Sequence, residues 1–196
     1  MAVVPYGPVA GQLRVLMERY SAFLHSQDAL KLPPHFTLVP RFKTGKYAEL
    51  LRALRDVCAR MKPLRAELDS LGHFERPPVL FFHVRHTPEI QQLHEQLMVV
   101  TQDFREPWSR EELREYTSSP EQQELLRQYG SPFVKQFYSP HLTIAGSDVE
   151  PTKFQELISA LPQERPITVT VDSIQILRKT PSGWVVDNSI PLGKSR

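Results

Sequence analysis

Apolar residues recur at helical spacing in four parts of the chain. The clearest case is 47–61, where leucines, a valine and a cysteine share one face and arginines occupy the other. The same spacing predicts helices over 9–23 and 152–161. A fourth helix is predicted to run to about residue 104 from Thr87, a capping residue that is followed by Pro88.

Short apolar stretches bounded by proline, glycine and polar turns predict the strands. They cover 2–6, 35–42, 64–74, 79–85, 141–145, 166–179 and 184–190. Short turns between neighbouring strands favour antiparallel pairing, so this order of elements predicts an α+β fold rather than a doubly wound α/β sheet. The polar, charge-dense stretch 105–132, which contains Trp108, is interpreted as an insertion or lid.

Composition narrows the class of protein. With 196 residues, 40% hydrophobic and 23% charged, the chain suits one sizeable domain, and its 18 prolines act as breaks between elements. A net charge of +2 argues against a broad basic face for duplex DNA. The single cysteine, Cys58, has no partner for a disulfide, and neither a secretory signal nor a membrane-length apolar run is evident. We therefore expect a soluble, cytoplasmic protein, and a monomer.

One hexapeptide pattern occurs twice. Residues 34–39 read Pro-His-Phe-Thr-Leu-Val and residues 140–145 read Pro-His-Leu-Thr-Ile-Ala. A single His-x-Thr is expected by chance in roughly a third of chains of this composition, but two copies with matching apolar flanks in well under about one in a hundred. Either copy alone would be read as a packed or surface histidine, whereas the pair indicates a site.

Strand geometry tells us what the repeat can do. Because side chains alternate, His35 and Thr37 share one face of their strand, as do His141 and Thr143 of theirs, with apolar residues behind. If the strands are neighbours, two imidazoles and two hydroxyls converge. One imidazole can accept a proton and the other can donate one, while the hydroxyls bind phosphate oxygens. This arrangement suits phosphoryl chemistry and calls for no metal or other cofactor.

These motifs resemble the two-histidine (2H) phosphoesterase superfamily, which includes RNA 2′,3′-cyclic phosphodiesterases and 2′–5′ RNA ligase-like proteins. The resemblance covers nearly the whole chain, and the stretches around 103–105 and 125–134 are similar to a branch found in phosphonate-utilisation gene clusters. It implies a single bilobal domain in which two antiparallel sheets, with helices outside, flank a central cleft. It also implies that His35 and His141 are the catalytic acid and base, in an order left open, and that Thr37 and Thr143 bind the substrate phosphate.

Other residues carry weaker expectations. Arg41 falls on the His35 face if alternation continues, Lys135 lies near the cleft, and Tyr138, Phe133 and Phe137 precede the second motif, where an aromatic ring can stack on a base. Each has a plain alternative as a solvated or core residue. Many relatives carry a basic residue just after the second motif, where this chain has Gly146.

A metal site is a minor alternative. It would use His83, His86 and His94, whose spacing fits no standard metal site.

The leading hypothesis is a metal-independent phosphoesterase that opens a nucleoside 2′,3′-cyclic phosphate or cleaves a 2′–5′-linked oligonucleotide. Its expected partner is therefore a nucleotide or an RNA-end phosphodiester. Three alternatives stay open: a nucleotide-binding module with little turnover, a 2′–5′ RNA ligase, and a phosphodiesterase for a cyclic ribose phosphate in phosphonate metabolism.

Overall fold

A computed structural model describes residues 1–107, 119–181 and 183–193. These residues contain five α-helices and eight β-strands. The helices are α1 (Gly7–Leu24), α2 (Tyr47–Cys58), α3 (Pro88–Gln102), α4 (Pro120–Tyr129) and α5 (Pro151–Ser159). The strands are β1 (Ala2–Val3), β2 (Phe36–Thr37), β3 (Leu64–Glu75), β4 (Pro78–Val84), β5 (His141–Ala145), β6 (Ile167–Val171), β7 (Ser173–Thr180) and β8 (Gly183–Pro191).

The strands form one curled antiparallel sheet in the order β6-β3-β4-β5-β2-β1-β7-β8. We call β6-β3-β4-β5 the second half-sheet, because it carries the second motif, and β2-β1-β7-β8 the first half-sheet. They join where β2 and β5 pair, through Phe36 and Leu142. The predicted α+β class is confirmed. The two sheets that the resemblance implied are the two halves of one continuous sheet.

The core lies behind the motif strands. Phe36, Leu142 and Ile144 are buried on the face opposite the polar motif residues. Burial of each such side chain stabilises the fold by roughly 1.5–3 kcal/mol. Helix α1 packs on β5 and β6, while α2 packs on α3 and β8. The buried apolar residues of both motifs therefore fix the position of the histidines and threonines on the opposite face.

The start of α3 follows the sequence signal closely. The Thr87 hydroxyl accepts a hydrogen bond of 3.3 Å from the backbone N–H of Ile90, and Pro88 occupies the first helical position. Proline is tolerated there because the N–H that it lacks would have no partner inside the helix.

Three predicted strands differ clearly from the observed ones. The strand predicted over 2–6 ends at Val3, because the Val4 N–H bonds to the Gln175 side chain and Pro5 has no N–H to donate. The strand predicted over 35–42 ends at Thr37, because the next two N–H groups, of Leu38 and Val39, both bond to the Met1 carbonyl and leave the ladder. The strand predicted over 166–179 is broken at Asp172 into β6 and β7. These two pieces pair with different partners, β3 in the second half-sheet and β1 in the first.

The predicted insertion at 105–132 is only partly described, since residues 108–118, which include Trp108, lie outside the described residues. Its second half does not stand apart from the core. Leu125, Leu126 and Tyr129 of α4 are buried, and Ser119 caps the helix in a reciprocal capping box with Gln122. None of the described helices is both long enough and apolar enough to cross a lipid bilayer.

Candidate active site

The two motifs lie side by side in the middle of the sheet. Phe36 of β2 is opposite Leu142 of β5 in an antiparallel pair. One residue away in that register, Thr37 lies beside His141 and His35 beside Thr143. All four side chains belong to the face opposite the core, which we call the motif face. The structure thus brings together the four residues that the repeat singled out.

Both motif histidines are oriented in the same way. His35 Nδ1 lies 3.0 Å from the Pro33 carbonyl oxygen, and His141 Nδ1 lies 2.9 Å from the Ser139 carbonyl oxygen. A carbonyl oxygen can only accept, so Nδ1 carries the proton in each ring. In the neutral form this leaves the Nε2 lone pair free to accept a proton. A proline between each carbonyl and its histidine keeps the backbone extended.

Burial is the main cause that lowers the pKa of both histidines. The hydrogen bonds to Pro33 and Ser139 act in the opposite direction and raise the pKa values. The positive charges of the Met1 amino group and of His141 lower the pKa of His35 further, and the charge of His83 lowers that of His141. Protonation of His141 therefore disfavours protonation of His35.

A pocket of about 200 Å³ opens beside the second motif. Thr37 and His141 line it, together with Ser139, Ser131 and the exposed ring of Phe133. His35 and Thr143 belong to the same face through the strand register. The pocket therefore contains two of the four motif residues, and the other two lie on the same face of the sheet.

The side chains of Tyr138 and Lys135 contact other protein groups in this structure. The Tyr138 hydroxyl donates to the Thr37 carbonyl at 2.8 Å, and its buried ring stacks on His94 with centroids 3.8 Å apart. Lys135 Nζ lies 4.5 Å from the centroid of the Tyr129 ring, a cation–π contact. Neither side chain is placed as a free substrate ligand, although Tyr138 does form part of the pocket wall.

Arg41 lies outside the pocket. The alternation that predicted it on the His35 face stops at Thr37, where β2 ends. Arg41 instead lines a neighbouring cavity of about 410 Å³ with Trp184 and Lys179. That cavity shares Pro40 with the pocket at His141.

Gly146 is fixed by its surroundings. It is buried, its N–H donates to Ser26 Oγ at 3.3 Å, and a Cβ at this position would lie 2.8 Å from Asp28 Cβ. The loop at residues 26–28 is tied to Asp148 by further hydrogen bonds. The packing around Gly146 therefore leaves no room for the basic side chain that many relatives carry here, or for any other side chain.

Sequence reasoning missed the role of His94. This histidine is 0% exposed, its Nδ1 lies 2.6 Å from the Leu38 carbonyl oxygen, and its Nε2 accepts from the Lys135 N–H at 3.0 Å. It therefore joins α3 both to the end of the first motif and to the approach to the second. A buried histidine on the apolar face of a predicted helix was the only available signal.

The three histidines of the metal alternative do not come together. His94 is engaged as described, His86 pairs with Gln91 at 2.7 Å, and His83 lies opposite His141 on the sheet. No group of three or more metal-ligating side chains occurs within the part of the chain that the structure describes.

A curled antiparallel sheet whose two central strands each present a histidine and a threonine defines the class of 2H phosphoesterases. The chain belongs to the 2′-5′ RNA ligase superfamily, whose sequence profile matches residues 7–182.

One solved structure shares the fold, and two others are more distantly similar. The crystal structure of TT0787 from Thermus thermophilus superposes with a TM-score of 0.57 at 17% identity and covers 100% of both chains. Escherichia coli LigT complexed with ATP gives 0.47 at 13% identity, covering 97% of this chain and 91% of LigT. LigT complexed with NADP⁺ gives 0.49 at 14%, covering 98% and 94%. No curated protein sequence gives a significant match.

Proposed function

We propose that the protein is a metal-independent phosphodiesterase that hydrolyses a nucleoside 2′,3′-cyclic phosphate or a 2′–5′-linked oligonucleotide. One observation carries the proposal. Two imidazoles with the same tautomer, each oriented by a backbone carbonyl two residues upstream, lie at two paired strands, His35 just before β2 and His141 at the start of β5, beside two threonine hydroxyls. Membership of the 2′-5′ RNA ligase superfamily supports the same reaction class.

The reaction needs one proton acceptor and one proton donor. The neutral histidine takes a proton from water at Nε2 as the water oxygen bonds to phosphorus. The bond from phosphorus to one ribose oxygen breaks, and the protonated histidine gives its Nε2 proton to that oxygen. The products are a phosphomonoester and a free hydroxyl. Exchange of protons with solvent restores the starting state of both rings.

The threonines stabilise the charge on the phosphate. Hydroxyl groups of Thr37 and Thr143 donate hydrogen bonds to the non-bridging oxygens, where negative charge grows in the transition state. Thr37 is exposed and Thr143 is half-buried, so both hydroxyls can reach a ligand on the motif face. Loss of one such donor is expected to cost about 10²–10³ in kcat.

The test is hydrolysis of the four nucleoside 2′,3′-cyclic monophosphates in EDTA. We expect turnover by the wild type and a loss of at least about 10²-fold in kcat for His35→Ala and for His141→Ala. His25→Asn is the matched control, because His25 is exposed at the end of α1 and its left-handed backbone (φ 54) suits asparagine.

Full activity of either alanine variant, or activity that EDTA abolishes and a metal ion restores, would overturn the mechanism. Tight nucleotide binding without product would identify a binding module instead. Joining of RNA ends without hydrolysis would identify a ligase.

A further inference from the structure

The strand register places three side chains, Phe74, Phe81 and His83, next to His141, and we call them the wall. On β4 and β5, His83 is opposite His141 and Phe81 is opposite Thr143. On β3 and β4, Gly72 is opposite Phe81 and Phe74 is opposite Val79. Paired residues share a face, and alternation carries that face along each strand. Phe74, Phe81 and His83 therefore all belong to the motif face.

Two of these residues bring aromatic rings against His141. The Phe74 ring centroid lies 5.2 Å from that of His141 in an edge-on arrangement, and the Phe81 centroid lies 5.0 Å from it. Phe81 is 3% exposed, whereas Phe74 is 42% exposed. Phe74 packs on Phe81 at 4.5 Å and still leaves much of its ring in solvent. An apolar ring that is open to solvent and touches a motif histidine is placed to contact a ligand.

Gly72 keeps this wall flat. A Cβ at this position would overlap His83 Nε2 and would lie 2.7 Å from a carbon of the Phe81 ring. Without that Cβ, the His83 imidazole lies across the β3 backbone, edge-on to Phe81 at 5.0 Å. His83 is exposed, so its ring nitrogens can bond to a ligand that rests on the wall.

A third ring approaches from another part of the chain. Phe133 is 58% exposed and lines the pocket that contains His141 and Thr37. Two large exposed phenylalanines thus each lie next to the second motif, Phe74 against the His141 ring and Phe133 in the pocket that His141 lines. At the first motif, the side chains packed around Leu38 and Thr37 are the buried His94 and Tyr138.

We propose that Phe74 and Phe133 bind the nucleobase of the substrate beside His141, with His83 as a hydrogen-bonding group on the same wall. The inference rests on the proposed function and narrows it. The substrate is a phosphodiester of a nucleoside, not a cyclic ribose phosphate without a base. Stacking on an aromatic ring tolerates every base, so the site selects for the presence of a base more than for its identity.

The test compares two substrates that share the 2,3-cyclic phosphate and differ at C1 of the ribose. 2′,3′-Cyclic AMP carries a base there, and methyl ribofuranoside 2,3-cyclic phosphate carries a methoxy group. We expect the wild type to show a lower KM for the nucleotide. Phe74→Ala and Phe133→Ala should each raise that KM by about 5- to 140-fold, the range that loss of one base stack gives. Their KM for methyl ribofuranoside 2,3-cyclic phosphate should change less than about twofold.

Two further variants serve as controls for a packing defect and for the loss of any exposed phenylalanine. Phe74→Leu keeps apolar bulk over Phe81 and removes the ring, so it separates stacking from a packing defect. Phe23→Ala removes an exposed phenylalanine from α1 and should change neither KM.

Equal changes for both substrates, or a wild-type preference for the methyl ribofuranoside, would overturn the inference. If neither substrate were hydrolysed, the proposed function would fail separately. Calorimetry with 2′-AMP would then test base binding on its own. Weaker binding by Phe74→Ala would support the inference, and unchanged binding would overturn it.

Discussion

The two halves of the sheet hold the same motif by different means. In the second half-sheet, β5 has five residues and pairs with β4 on one side and β2 on the other. In the first half-sheet, β2 has two residues, and the carbonyls of Thr37 and of the following Leu38 accept hydrogen bonds from Tyr138 and His94. A longer backbone ladder orders the second motif, whereas the first combines a short ladder to β1 and β5 with side chains from α3 and the 135–138 segment. Identical sequence patterns therefore differ in what they need from the rest of the chain.

The largest effect on this contrast is expected from His94→Ala. The change removes two hydrogen bonds and a stacked ring from a fully buried site, and it leaves the Leu38 carbonyl without its partner. We expect a loss of about 3 kcal/mol in the free energy of unfolding. Urea denaturation would measure this loss, with His86→Ala as an exposed control.

His94→Ala should also change the kinetics, because His94 positions the first motif. We expect a lower kcat and a shifted pH–rate profile for the variant, while its KM should change little. A stable variant with wild-type kinetics would show that the first motif needs no brace.

A smaller effect is expected from Gly146→Arg, which tests the end of β5. Restoring the basic residue that is common in relatives should destabilise the protein by about 1–3 kcal/mol, because the side chain meets Asp28 and displaces the loop tied to Asp148. Thermal unfolding measures the loss, and Ser147→Arg, one residue further on and exposed, is the control. Equal stability of both variants would mean that the loop yields easily.

The smallest effect is expected from pH. Burial lowers the pKa of His94 in the folded protein, so below the unfolded pKa of about 6.5 the unfolded chain binds more protons. Stability should therefore be full above that pH and should fall as the pH drops towards the folded pKa of His94. His35 and His141 act in the same direction.

Urea midpoints at pH 7.5 and 5.5 would show this fall. The fall should be smaller in His94→Gln, which has no titrating ring. An equal fall in His94→Gln would assign the effect to other groups.

Much of the site could be predicted from the sequence, because the repeat depends only on local alternation. His35, Thr37, His141 and Thr143 share a face for the same reason that their apolar neighbours are buried. What failed depends on distant partners. Arg41 was placed by continuing an alternation that β2 does not continue, since the N–H groups after Thr37 bond to Met1.

Dependence on distant partners also explains why the break at Asp172 and the role of His94 were not predicted. The break at Asp172 leaves no trace in periodicity, because β6 and β7 are both strands and differ only in the strands with which they pair. His94 could not be assigned because its two partners, Leu38 and Lys135, lie 56 and 41 residues away in sequence.

The break at Asp172 has a consequence for how the protein folds. The second half-sheet is built from one uninterrupted stretch, β3 to β6, which lies within residues 64–171. The first half-sheet is assembled from both ends of the sequence, since β1 pairs with β2 on one side and with β7 on the other. The pairings within the second half-sheet all close loops inside residues 64–171, whereas the pairing of β1 with β7 joins Ala2 to Gln175. Because a longer loop costs more conformational entropy to close, we expect the second half-sheet to form earlier in folding than the first.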